Sequence, residues 1–310
     1  MKQNIVNMAA SVRGRLQNTA RKSHRPFAEI LQYYGMERFL FRLSKSQYSQ
    51  HFILKGALMF TAWGIPQRRA TLDIDLLANY DNAVAGIEKV IKGICKAKVP
   101  DDGLVFDPTS ISGRRIKEDA DYEGVRVRFA GFLERARIPM QIDIAFGDVV
   151  YPKARVTEFP TILDFPKPCL KGYPPESVIS EKFEAMVKLG LLNSRMKDFY
   201  DIWLMTRKFD FNGMNLTESL KRTFHHRKTE LPHKRPLFAE EIYDEKSDRQ
   251  RLWSVFLRKN EISHAPVKLS VTVKVIEKFL LKPLDAIHKN LAFKQTWHAA
   301  GKWELTPLEK

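Results

Sequence analysis

The side chains best suited to chemistry lie in residues 52–77, FILKGALMFTAWGIPQRRATLDIDLL. Asp73 and Asp75 are two apart, and strand side chains alternate, so both carboxylates leave one face while Ile74 and Leu76 leave the other. Adjacent carboxylates repel unless a cation holds them, and oxygen-ligated Mg²⁺ is the usual partner. Upstream, Lys55 and Gly56 end an apolar strand and open a short helix, a turn whose backbone N–H groups can face a phosphate. The simpler reading of that segment is a plain turn with Lys55 solvated. Arg68, Arg69 and Thr71 precede the aspartates, where arginine can neutralise a triphosphate. A further acid, Asp143, sits in PMQIDIAF (139–146) on the same strand face as Gln141. Alone, Asp143 reads as a solvated edge residue or the ion-pair partner of Arg126 and Arg128. If its strand lies beside 73–77, three carboxylates converge, enough to hold two Mg²⁺ about 4 Å apart. The combination has the working parts of a nucleotidyl-transfer site.

These groups need strands to carry them. The spacing predicts strands at Phe52–Leu54, Asp73–Leu77, Leu104–Phe106, near Ser110–Ile116, at Gly124–Phe132 and at Pro139–Phe146, with a helix over Ala83–Cys95. Val125, Val127 and Phe129 alternate with Arg126 and Arg128, giving one apolar and one cationic face. Residues 1–50 read as a basic helical segment with a buried side at Leu31, Tyr34 and Phe39. Residues 151–173, punctuated by four prolines, read as a connector closing a 51–173 core. From Pro174 to residue 310 the pattern is helical: Ile179, Phe183 and Met186 in one helix, Met196, Phe199 and Trp203 in the next, then helices near 214–226, 246–259 and 271–288. The fold class is therefore α/β in the broad sense (α+β), a mixed sheet followed by a helical domain.

Composition narrows the partners. The 310 residues carry 52 Lys and Arg against 36 Asp and Glu, a formal net charge of +16. Such an excess favours a polyanion: a nucleotide or a nucleic acid before a membrane surface. Residues 207–235 concentrate basic side chains, among them Arg222, Arg227 and Lys228, with His225 and His226 between them, a pattern that could clamp an RNA backbone. Cys95 and Cys169 have no metal-like spacing, no apolar run is long enough to span a bilayer, and no secretory signal stands at the start, so a reduced, cytoplasmic protein is expected. In ESVISEKFEAMVKLG, Lys182 flanks the buried stripe. In SRMKDFYDIWLM, Asp198 and Asp201 interrupt an apolar helix, read most simply as favourable charge near a helix start.

FILKGALMF, RRATLDIDLL, QIDIAFGD, PPESVISEKFEAMVKLG and NSRMKDFYDIWLM together resemble the nucleotidyltransferase AbiEii/AbiGii toxin family of abortive-infection and type IV-like toxin–antitoxin systems, over roughly residues 10–285. The resemblance implies a DNA polymerase β-like core, use of an NTP and of Mg²⁺ (two ions), and transfer of a nucleotidyl group to an acceptor. In related toxins that acceptor is the 3′ end of tRNA, and the partner is an antitoxin encoded separately. It assigns Gly56 to the phosphate-cradling turn, Asp73 and Asp75 to the metal pair, Asp143 to the third acid, Arg69 to the basic position before DID, and Lys182 and Asp198 to the helical motifs. The chain departs from the usual Gly-Ser or Gly-Gly turn at Ala57, which has no hydroxyl for a phosphate oxygen. Two other readings follow from the same residues: a transferase acting on a protein hydroxyl, and a non-catalytic nucleic-acid-binding module on a degenerate transferase fold.

Overall fold

The computed structural model describes residues 7–65, 71–117, 123–190, 193–233 and 243–306. They form two units, one within residues 1–148 and 154–173, the other within 149–153 and 174–310.

The first unit begins with α1 (Met8–Ser23), capped by the Asn7 side chain on the Ala10 N–H, and α2 (Phe27–Lys45). Then come β1 (Phe52–Lys55), the short α3 (Ala57–Ala62), β2 (Ile74–Ala78), α4 (Val84–Cys95), β3 (Leu104–Lys117), β4 (Glu123–Leu133), β5 (Ala136–Phe146), β6 (Arg155–Glu158) and β7 (Cys169–Gly172). Its strands make one sheet in the order β3-β4-β5-β2-β1-β7-β6. The pairs β2–β5 and β1–β7 are parallel and the other neighbours antiparallel. Helix α2 is buried from Ile30 to Leu43, and Phe39 meets Phe106 and Phe129 with ring centres 5.8 and 5.5 Å apart. A helix buried all round must pair its charges. Arg42 forks onto Asp102 at 2.8 and 2.9 Å, and Arg38 meets Glu37 at 2.9 Å. The apolar alternation of β4 faces this core, so its arginines take the other face.

Two features differ from the sequence expectation. Leu104–Phe106 and Ser110–Ile116 are one strand, bent by an irregularity between Asp107 and Ser112, where Asp107 accepts the Thr109 N–H and hydroxyl. Residues 151–173 are more than a connector, since β6 and β7 extend the sheet beyond β1. Each is only four residues long, too short for alternation to register between prolines.

The second unit is built on α5 (Pro175–Leu189), α6 (Met196–Lys208), α7 (Gly213–His226), α8 (Asp248–Lys259) and α9 (Leu269–His288). A small sheet that helical spacing does not announce joins them: β8 (Phe211–Asn212), β9 (Gln295–Trp297) and β10 (Trp303–Leu305), in the order β10-β9-β8. Phe279 of α9 anchors it, with its ring centre 5.0 Å from both Phe211 and Trp297 and 5.6 Å from Trp303. No described helix is long and apolar enough to cross a membrane.

Candidate active site

Strand register builds the acidic site. Lys55 on β1 lies opposite Asp75 on β2, Asp75 opposite Asp143 on β5, and Asp143 opposite Arg126 on β4. Residues directly opposite share a sheet face, so one cross-strand row reads Lys55, Asp75, Asp143, Arg126. Asp73, in the bend before β2, joins the row, and one carboxylate oxygen from each of Asp73, Asp75 and Asp143 lies within 4.8 Å of the others. Asp143 is buried, while Asp73 and Asp75 are half-buried. Arg126 forks onto Asp143 through Nε (2.7 Å) and Nη2 (2.5 Å), while Arg128 bonds Gln141 instead, so the Arg126 half of the ion-pair reading and the acidic cluster hold at once. Three carboxylates this close, all offering hard oxygen atoms, suit Mg²⁺ or a similar cation better than a thiolate- or imidazole-seeking metal.

Lys55 is not solvated. It is buried, its Nζ sits 2.8 Å from the Asp148 carboxylate, and it lies 5.2 Å from the Tyr173 ring centre. Asp148 closes the QIDIAFGD run, and sequence reasoning had no signal that it would turn back to β1. Gly56 follows with φ 69° and ψ −152°, a region that glycine alone occupies without strain. A Cβ added there would stand 1.8 Å from Asp75 Oδ2. The missing side chain therefore lets the turn lie directly against a carboxylate of the triad. Ala57 opens α3, whose Leu58, Met59 and Phe60 are buried. Arg69, with Arg68, falls outside the described residues, and Thr71 is buried.

Lys182 and Asp198 come together in the helical unit. Lys182 Nζ bridges Asp198 Oδ1 (2.8 Å) and Asp201 Oδ2 (2.7 Å), and Arg195 Nε reaches Asp198 Oδ2 at 2.7 Å. Asp198 does stand in the first turn of α6, as the helix-start reading expects, but it and Asp201 are both buried and ion-paired. Burial alone would raise the Asp198 carboxyl, but Lys182 and Arg195 outweigh it and hold it below its ordinary 3.8. A depressed acid contributes stability above its unfolded value and loses it as the pH falls through the folded one. Asp198→Asn is thus expected to cost about 3–5 kcal/mol at neutral pH, by leaving Lys182 and Arg195 short of a partner. That deficit should begin to shrink in urea titrations as the pH falls below 3.8, where the unfolded carboxylate takes up its proton, and should close as the pH passes through the lower folded value.

The basic stretch 207–235 divides. Arg222 pairs with Glu218 at 2.6 Å and stacks 4.5 Å from the Tyr151 ring centre, while Lys228 is exposed. Arg227 does not face outward as a clamp residue. It pairs with Glu184 at 2.9 Å and Glu181 at 3.7 Å on α5, where Thr229 also donates to Glu184. The residue lies just past the end of α7, where the chain turns back toward α5, a direction that a count of charges does not carry. Lys234 and Arg235 lie outside the described residues.

Two crystal structures from Helicobacter pylori are similar to the chain. JHP933 shares 14% identity over 82% of this chain and 94% of its own, at a TM-score of 0.44. The other, a protein proposed to be a nucleotidyltransferase, shares 16% identity over 79% of this chain and 93% of its own, at a TM-score of 0.43. No curated protein matches the chain. Residues 38–279, which take in the acidic row, the glycine turn and the Lys182–Asp198–Asp201 cluster, match the family described as Nucleotidyl transferase AbiEii toxin, Type IV TA system, and the chain belongs to that family of nucleotidyltransferase toxins.

Proposed function

We propose that this nucleotidyltransferase moves a nucleotidyl group from an NTP to a hydroxyl of RNA, with the 3′ end of tRNA as the preferred acceptor and Mg²⁺ as the metal. The observation that carries the reading is the set of three carboxylates within 4.8 Å, lying against a glycine turn. Asp73, Asp75 and Asp143 would hold two Mg²⁺, which would supply positive charge beside the triphosphate. Asp143, its charge held by Arg126, accepts a hydrogen bond from the acceptor hydroxyl and takes its proton as that oxygen bonds to the α-phosphorus. The bond from the α-phosphorus to the bridging oxygen breaks at the same centre, and the electron pair leaves with pyrophosphate. Backbone N–H groups at Gly56 and Ala57, which need no side-chain hydroxyl, face the phosphates, and Arg69 neutralises them. Lys182, whose charge Asp198 and Asp201 pair, keeps the nucleotide-binding role that the helical motifs imply for it.

The family implies a nucleotide substrate and an antitoxin partner. The +16 net charge supports a polyanionic acceptor. Cytoplasmic action is part of the proposal, since NTPs and tRNA are found there.

The test is incubation of the purified chain with Mg²⁺, tRNA and each α-labelled NTP in turn, followed by sequencing of RNA 3′ ends. Label at the RNA 3′ end, lost on chelation, is the expected result. Label on protein in a lysate, with RNA unlabelled, would overturn the RNA acceptor in favour of a protein hydroxyl.

A further inference from the structure

The acidic row has two sides. On the β1 side lies the turn at Gly56, and on the β4 side the same sheet face continues past Asp143. Along β5, Arg137, Pro139, Gln141 and Asp143 alternate onto this face. Across from them, Arg128 lies opposite Gln141, Ser112 opposite Arg128, and Arg114 opposite Arg126. A cleft of about 450 Å³ opens over this region, lined by Ser110, Ser112, Arg128, Arg137 and Gln141, with Leu72 and Pro139 as its apolar wall. The lining borders the triad, because Leu72 adjoins Asp73 in sequence and Gln141 Nε2 donates to Asp143 Oδ2 at 3.5 Å. Buried Gln32 ties the apolar wall together by donating to the Leu72 and Pro139 carbonyl oxygens, at 3.3 and 2.8 Å.

Among the described residues the charge here is uncompensated. Arg114, Arg128 and Arg137 are exposed. Among the described residues none of them forms an ion pair, and Arg128 is steadied by neutral Gln141, through Nε to Oε1 at 3.0 Å. By contrast, Arg126 is held by Asp143, Arg222 by Glu218 and Arg227 by Glu184. The cleft is thus a cationic track with hydroxyl and amide groups beside an apolar wall, and from Arg137 to Gln141 it runs about 13 Å along the strand, ending one strand repeat short of Asp143.

We infer that this cleft binds the acceptor strand, a single-stranded RNA end whose phosphates meet Arg128 and Arg137 and whose terminal hydroxyl reaches Asp143. The inference rests on the proposed transfer to RNA and adds a direction to it. In phosphoryl transfer the attacking and leaving oxygens stand roughly in line across the phosphorus. With the leaving pyrophosphate at the β1 turn, the acceptor enters from the opposite side of the carboxylates, which is the side of β5 and β4. Leu72 and Pro139 offer a base an apolar face without reading its edges, so the track holds the strand by its backbone and selects weakly for sequence.

The test is fluorescence anisotropy of a labelled single-stranded oligoribonucleotide with wild type, Arg128→Glu/Arg137→Glu and Arg128→Lys/Arg137→Lys, from about 50 to 200 mM salt, alongside NTP binding and transfer kinetics. The charge-reversed variant is expected to bind RNA at least about tenfold more weakly. Its slope of log K against log salt should be shallower by about 1.4, or roughly 0.7 for each lost single-strand phosphate contact. NTP affinity should be unchanged, and the lysine variant should recover most of the slope but less of the affinity. Equal RNA affinity and slope in wild type and the reversed variant would overturn the track, as would a wild type that binds no single-stranded RNA. If wild type binds RNA on these arginines yet transfers nothing to it, the track stands and the RNA-acceptor reading alone fails.

Discussion

Asp73→Asn and Asp75→Asn, singly or together, are expected to lower nucleotidyl transfer by about a thousandfold or more with the fold retained, a loss of about 4 kcal/mol of transition-state stabilisation. Asparagine keeps the shape and one acceptor oxygen but removes the charge, so the variant separates electrostatics from packing. The negative charge of the three acids within 4.8 Å is what would attract a divalent cation, and a neutral amide at one position weakens that attraction while leaving β2 paired on both edges. Both side chains are only half-buried, and removing one charge relieves repulsion inside the cluster, so the melting temperature should move by a few degrees at most. Single-turnover transfer from labelled NTP, followed across a Mg²⁺ titration, gives the comparison. Partial rescue at high Mg²⁺ in the single variants, and none in the double variant, is the pattern expected of shared metal ligands. Transfer at the wild-type rate by the double variant would remove the acidic row from the chemistry.

The parts of this site differ in how far the sequence reveals them. Two aspartates two residues apart in an apolar strand declare a shared face, because the strand period is two and nothing else is needed. That Asp143 joins them depends on the parallel pairing of β2 with β5, two strands separated by α4, β3 and β4. Alternation shows which face Asp143 takes, but it is silent on which strand lies alongside, so in the sequence convergence is conditional on that pairing. Lys55 was harder still: a lysine at a strand end reads as solvated, and its partner Asp148 sits 93 positions away. Arg227 shows the same limit from the other side, since a run of basic residues suggests an outward cationic surface while two glutamates on α5 draw this one inward. Strands β6 to β10 are two to four residues long, below the length at which a period of two separates from chance. What sequence pattern conveys well here is local direction; what it conveys poorly is who stands opposite, and both the acidic row and the arginine track are built from opposition.

Gly56→Ala is expected to damage transfer through the same carboxylate as the loss of Asp75, with a smaller effect on rate. Two costs act together. At φ 69° and ψ −152° a Cβ is strained whatever surrounds it, by about 1–3 kcal/mol, which would appear as lost stability in urea unfolding. The new methyl group would also stand 1.8 Å from Asp75 Oδ2, far inside contact distance, so either the turn or the carboxylate must move by more than 1 Å. A displacement of that size at a reacting centre costs about a hundredfold in rate. A double-mutant cycle distinguishes this coupling from general damage. If the alanine acts by pushing Asp75 out of the triad, then Gly56→Ala in an Asp75→Asn background should lower transfer far less than it does in wild type, leaving an interaction energy of roughly 1–3 kcal/mol. Additive losses would instead mean that the turn serves the nucleotide on its own, through its backbone N–H groups, and that the close approach of Gly56 to Asp75 contributes packing without positioning the acid.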